Sequence, residues 1–272
     1  MAKIHLLLAL LISMLLASCN KDTGSIIIYD IQDEFNIEIF QENNNANNFF
    51  LKITTLDEYP SNYRIEADLV NVNNKIELNI YRILKPTNPT NQTKYLSKNL
   101  NLENLEIGNY NLDLILRNTI VNEGAVSIKP ETIELDFSTK HGISSKHYEV
   151  NRIASNGYWG VAYVESEDHS PFLDNFMQKI KDVSIELTNP RQGNYGYFSI
   201  DNHNKVNLAL SPHGVYQNFY MTSDELDTIN DFVQEYKSFG VGFHAVIYTA
   251  QGQIFHHTSY DSAIVLEQYL IN

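Results

Sequence analysis

From residue 25 to about residue 137 the apolar side chains keep a period of two. Phe35, Ile37 and Ile39 alternate with Glu34, Asn36 and Glu38, and Leu51 and Ile53 with Lys52 and Thr54. Tyr63, Ile65, Ala67 and Leu69 alternate with Arg64, Glu66 and Asp68; Ile76, Leu78 and Ile80 alternate with Glu77 and Asn79. Tyr110, Leu112, Leu114 and Leu116 repeat the pattern, broken only by Ile115, and Ile133, Leu135 and Phe137 complete it. A strand sends successive side chains to opposite faces, so this alternation specifies strands with one wet and one buried face. Asn-rich and Pro-containing stretches at 43–48, 71–74 and 85–93 punctuate them. About seven such strands over 25–137 predict two antiparallel sheets packed face to face, a β-sandwich.

One segment narrows the type of sandwich. Leu105, Gly108, Tyr110 and Leu112 keep the spacing Leu-x-x-Gly-x-Tyr-x-Leu. This resembles the approach to a late strand in immunoglobulin-like sandwiches. The resemblance implies a Tyr hydroxyl that bonds back to the backbone across the turn. The Cys pair and central Trp of antibody domains are missing here. Such sandwiches host many functions, so this part reads as a spacer.

The pattern changes at 138–148, a polar stretch with Gly142 that reads as a linker. From residue 149 onward strands and helices mix. A strand is expected over 157–164. Pro171 opens a helix with Phe172, Phe176, Ile180 and Val183 on one stripe. Further strands are expected over 184–187, 195–200 and 205–210. Thr222 with Glu225 fits a capping box for a helix bearing Leu226, Ile229, Val233 and Tyr236. Residues 241–249 and 253–259 form a hairpin, and a helix over 261–270 closes the chain. The fold class expected is a mainly β N-terminal sandwich (immunoglobulin-like), followed by an α+β C-terminal domain with a largely antiparallel sheet.

Charge restricts the partners. The net charge is −14, both halves are acidic, and no Lys or Arg run occurs. Nucleic acid, whose binding rests on neutralised phosphates, is excluded as a partner. Anionic lipid surfaces are equally unfavourable.

The N-terminus supplies a different route to a membrane. Lys3 precedes an uncharged run from Ile4 to Ala17, then Ser18 and Cys19, the single cysteine. This is the layout of a secretory signal peptide. About 14 helical residues reach only ~21 Å, short of a ~30 Å hydrocarbon core. Leu16-Ala17-Ser18-Cys19 resembles the lipobox of bacterial lipoproteins. That resemblance implies removal of residues 1–18, diacylation of the Cys19 thiol and acylation of its new amino group. Asn20 in place of Asp after the cysteine resembles lipoproteins released from the inner membrane. Lys21-Asp22 resembles the tag of surface-exported lipoproteins in some Gram-negative bacteria. The expected location is the cell envelope, at the outer membrane and exposed at the surface. Residues 19–24 form a tether of at most ~20 Å, followed by the sandwich (25–137), the linker (138–148) and the α+β domain (149–272).

Candidate chemistry concentrates in the second half. Eight of nine histidines lie from His141 onward. The His-x-Ser/Thr spacing in His256-His257-Thr258-Ser259 resembles half of the paired signature of two-histidine phosphoesterases, but His169, His203, His213 and His244 all lack the Ser or Thr two residues on that a second half requires. With an even hairpin loop, His244 and His257 share a sheet face; an odd loop substitutes His256. Two histidines with an acid such as Asp201 or Glu186 make a possible zinc site. The competing reading is that hairpin histidines are partly buried, hydrogen-bonded residues. Glu165, Glu167 and Asp168 are acids a glycosidase uses only across a cleft. Tyr158, Trp159, Tyr195, Tyr197, His213 and Tyr216 lie near glycines in Gly-rich stretches, rigid aromatics of the kind recognition surfaces use. The sequence therefore predicts a noncatalytic, lipid-anchored envelope protein without a cofactor, whose second half binds a protein or glycan. A His-dependent hydrolase and a structural subunit of an envelope assembly are the alternatives.

Overall fold

The computed structural model describes residues 31–42, 48–145, 149–185, 190–208, 212–239 and 242–257. Cys19 with its leader, and the helix expected over 261–270, lie outside the described residues. The first half contains β1 (Phe35–Gln41), β2 (Phe49–Pro60), β3 (Arg64–Val72), β4 (Lys75–Leu84), β5 (Thr93–Leu102), β6 (Gly108–Leu116), β7 (Ile120–Ile128) and β8 (Thr132–Phe137). Then follow β9 (Ile143–Ser144), β10 (Glu149–Asn151) and β11 (Gly157–Val164). The rest comprises α1 (Ser170–Asp182), β12 (Gly193–Asn194), β13 (Ser199–Ile200), β14 (Val206–Asn207), β15 (Val215–Thr222), α2 (Leu226–Lys237), β16 (Phe243–Thr249) and β17 (Ile254–His257). The chain is mainly β, with several sheets and a sandwich-like first half.

Two sheets, ordered β5-β2-β1-β9 and β10-β8-β7-β6-β4-β3, make that first half. Pairing is antiparallel except for β1 with β9 and β4 with β6. The inward members of each alternating run form one core: Ile37, Ile39, Leu51 and Ile53 from one sheet, Ile76, Leu78, Leu112, Leu114 and Leu135 from the other. Each is fully buried, worth about 1.5–3 kcal/mol of transfer free energy before ordering costs. At the turn before β6 the Tyr110 hydroxyl accepts from the Glu106 amide and donates to the Glu106 carbonyl, both at 3.0 Å.

The stretch expected as a linker is partly ordered onto the sandwich. Asn122 exchanges two bonds with the His141 backbone, at 3.0 and 2.6 Å, and β9 continues the sheet beside β1. The β1 edge has backbone groups to satisfy, and this stretch satisfies some of them. β10 then pairs with β8, so the six-stranded sheet is completed by residues beyond 148. Gln32–Asn272 form one compact unit.

The second half is built on a sheet ordered β15-β11-β16-β17, antiparallel throughout. Both helices pack on one face: Leu173, Phe176 and Ile180 of α1 and Ile229, Val233 and Tyr236 of α2 meet Tyr158, Ala162, Val164, Ala245 and Ile247. The small β12-β13-β14 sheet contributes to a second core around Trp159. Three expected strands shrink. The 184–187 strand is a single bridge from Ile185 to Thr222 among the described residues. The 195–200 strand is a turn, closed by the Tyr195 amide on the Phe198 carbonyl at 2.8 Å, leading into β13. The 205–210 strand is described only as β14. Thr222 does not cap α2: it ends β15, and its hydroxyl donates to the Ile185 carbonyl at 3.3 Å. Ser223 Oγ instead accepts from the Glu225 amide at 3.0 Å, and the helix starts at Leu226.

Candidate functional site

The register of the second sheet decides which polar side chains meet. Along β11 the even positions face the helices, so Trp159, Val161 and Tyr163 face the other way. Tyr163 lies opposite Tyr216 of β15 on one side and His244 of β16 on the other. The three make a row across adjacent strands. The Tyr163 and His244 rings stack at 4.6 Å with 14° between planes. One residue beyond β11, Glu165 Oε1 lies 3.0 Å from His244 Nε2. A carboxylate only accepts, so Nε2 is the nitrogen that carries the proton in this bond.

Burial in the pair is lopsided. The His244 side chain is 6% exposed and that of Glu165 is 66% exposed, so the imidazole is fixed and the acid faces water. Two turns crowd this end of the sheet. Gly214 has φ 101°, and a Cβ there would stand 2.2 Å from the Val164 carbonyl oxygen. Only glycine fits that approach. At Gly242, φ 65°, a Cβ would stand 3.4 Å from Glu165 Oε2.

No family model, curated protein or solved structure matches this chain.

Of the aromatics expected to bind ligand, Tyr158, Trp159 and Tyr195 are buried and Tyr197 is half-buried. Tyr158 is fully buried under the helices, its hydroxyl shared with Ser184 and donated to Met221 Sδ at 3.3 Å. Trp159 is buried between Tyr197 and Tyr248, with ring centroids at 5.5 and 6.0 Å. Tyr195 is buried and donates to the Arg191 carbonyl at 2.8 Å. Tyr197 donates to the Gln41 carbonyl of β1 at 2.8 Å, joining the two halves of the molecule. Burial raises the pKa of Tyr158, Tyr195 and Tyr197 well above the ordinary phenol range. Aromatics supply core area as readily as contact area, and the sheet's second face needed covering. His213 and Tyr216 remain exposed.

The hairpin resolves the histidine alternatives. Tyr248 pairs with Ile254 and the Thr249 amide donates to the Gln253 carbonyl at 3.0 Å, so the loop is odd. His256 therefore lies opposite Val246, on the His244 face, and residue 257 opposite Ala245. His256 is exposed and His244 buried. Among the described residues no three His, Cys, Asp or Glu side chains are spaced to hold a metal. Glu186 lies outside the described residues. Asp201 caps its own loop, accepting from the His203 and Lys205 amides at 2.9 Å, and these bonds lower its pKa.

The Glu165–His244 pair was not legible before the register was known, because 79 positions separate its members. Tyr163 carried no signal beyond its place in a strand. The combination of an exposed acid, a fixed imidazole and an exposed Tyr216 suits hydrogen bonding to a hydroxylated or amide-rich partner. A carboxylate hydrogen-bonded to a histidine is also one of the pairings found in hydrolytic triads.

Proposed function

We propose that this chain is a lipid-anchored cell-envelope protein whose second half binds a protein or glycan partner through the surface at Glu165, His213 and Tyr216. The observation that carries the reading is the Tyr216-Tyr163-His244 row with the exposed Glu165 carboxylate at its end. Rigid aromatic side chains with adjacent polar groups bind at low entropic cost. The anchor is acylated Cys19, at the outer membrane, and the first half is an immunoglobulin-like spacer. The Tyr110 hydroxyl bridging the Glu106 backbone supports that finer reading of the sandwich. Envelope pull-down with full-length protein tests the surface. Tyr216→Ala combined with Glu165→Gln should lower partner recovery about tenfold at unchanged melting temperature. Equal recovery would remove the assignment. Cys19→Ala should move the protein from membrane to soluble fractions, and its persistence in membranes would remove the anchor.

The His244–Glu165 hydrogen bond favours a second reading, a His-dependent hydrolase. Its sign would be ester or glycoside turnover lost in His244→Asn and retained in Tyr216→Ala.

A further inference from the structure

The sandwich carries a groove at one corner, between the start of β3 and the free edge of β5. It measures about 460 Å³, within the range of small-molecule sites, and is lined by residues 61–65, Lys94 and 96–98. Its rim is built rather than accidental. Ser61 is fixed by its amide on the Gln92 carbonyl at 2.7 Å and by a hydroxyl contact to Thr90 at 2.9 Å. Asn62 donates to the Asn88 carbonyl at 2.8 Å and accepts from the Thr90 amide at 3.2 Å. Opposite, β2 bulges between Thr54 and Glu58, and Thr55 Oγ1 takes the Leu96 amide at 2.9 Å.

Charge gives the groove its meaning. In a chain with 19 Lys and Arg against 33 Asp and Glu, its lining contains Arg64, Lys94 and Lys98 and no acid. Arg64 and Lys94 are exposed and make no ion pair or side-chain hydrogen bond among the described residues. A second groove, about 470 Å³ on the outer face of the six-stranded sheet, has the opposite character. It is lined by Asp113, Glu123 and Asp136, and its one cation, Lys75, is 2.7 Å from Asp113.

We infer that the corner groove binds a short acidic saccharide, its carboxylates held by Arg64 and Lys94 and its hydroxyls by the polar rim. A guanidinium fork with a neighbouring ammonium matches carboxylates. Ser97 and Tyr63 add hydroxyls to the lining. An added peptide strand is disfavoured because the Lys98 ammonium donates to the Ala67 carbonyl and so occupies an acceptor of the β3 backbone. Long polyanions and anionic bilayers are opposed by the net charge of −14. This inference does not depend on the surface proposed for the second half.

Calorimetric titration of the full-length protein in detergent tests it, with trigalacturonate as probe. Saturable, salt-sensitive binding is expected, with none to neutral maltotriose. Arg64→Ala combined with Lys94→Ala should weaken it at least about tenfold at unchanged melting temperature, while Lys75→Ala in the acidic groove leaves it intact. No saturation by ~10 mM, or equal affinity in the double variant, would overturn the site. Equal or tighter binding of citrate or of a glutamate-rich peptide would overturn the saccharide assignment.

Discussion

The two central strands of this molecule, β6 in the first half and β11 in the second, solve different burial problems. β6 has neighbours on both sides but alternates buried with wetter positions along its length. β11 also has neighbours on both sides, yet every one of its residues is buried. The helices cover one face of β11's sheet, and the Trp159 core covers part of the other. Period-two alternation thus reports one-sided burial, whereas a two-sided strand conceals its orientation. The difference explains why Tyr158 and Trp159, which look like part of a recognition surface in the sequence, are buried.

The sharpest way to break this comparison is to remove the residue on which the second face rests. Trp159→Ala should cost about 3–5 kcal/mol, and Leu114→Ala in the sandwich about 2–5 kcal/mol. If the halves fold together, both substitutions will shift a single urea transition. Two separable transitions, each sensitive to one substitution, would instead show independent folding.

Alkaline titration sharpens the contrast next. Tyr158, Tyr195 and Tyr197 have pKa values raised by burial in the folded state. Their unfolded counterparts ionise first as pH rises past about 10, so the unfolded state then binds fewer protons and stability falls. The slope is at most ~1.4 kcal/mol per pH unit for each tyrosine. Urea midpoints measured from pH 9 upward should fall less steeply in Tyr158→Phe. An unchanged slope would show that this hydroxyl does not titrate with unfolding.

The joint between halves gives a smaller effect. Gln41 of β1 accepts from the Ile153 amide at 2.9 Å and donates to its carbonyl at 3.2 Å, all buried. Gln41→Ala should cost about 1–3 kcal/mol by orphaning both groups, with faster exchange of the Ile153 amide as its marker. Unchanged exchange would mean that water replaces the side chain. The least costly change is Tyr110→Phe, about 0.5–1.5 kcal/mol without altered pairing. A larger loss would make that turn more central to the sandwich than its geometry indicates.

Legibility followed burial. The strands of the sandwich were readable because Ile37, Leu78 and Leu114 alternate with polar neighbours, and the Tyr110 turn because its spacing is local. The helix over 170–182 was readable from its stripe, since Phe176 and Ile180 repeat at helical spacing. β12 was not, and the strands expected over 195–200 and 205–210 are described only as the two-residue β13 and β14, because such short strands are held by tertiary contacts. The cap at Thr222 failed because a competing partner, the Ile185 carbonyl, is distant in sequence. For the candidate site the chemical types were visible but not their grouping. His213 and Tyr216 were singled out with Tyr158 and Trp159, and nothing local separates the exposed pair from the buried pair.

Local periodicity, turn chemistry and the charge total are properties of neighbours along the chain, so the sequence alone settled that the first half is alternating β and that the molecule is acidic. Which edge meets which edge depends on strand register and on the coverage of each sheet face. Those are set by contacts between residues tens of positions apart. Only the tertiary structure could therefore bring Glu165 to His244, tie Tyr197 to Gln41, and gather Arg64, Lys94 and Lys98 around one groove.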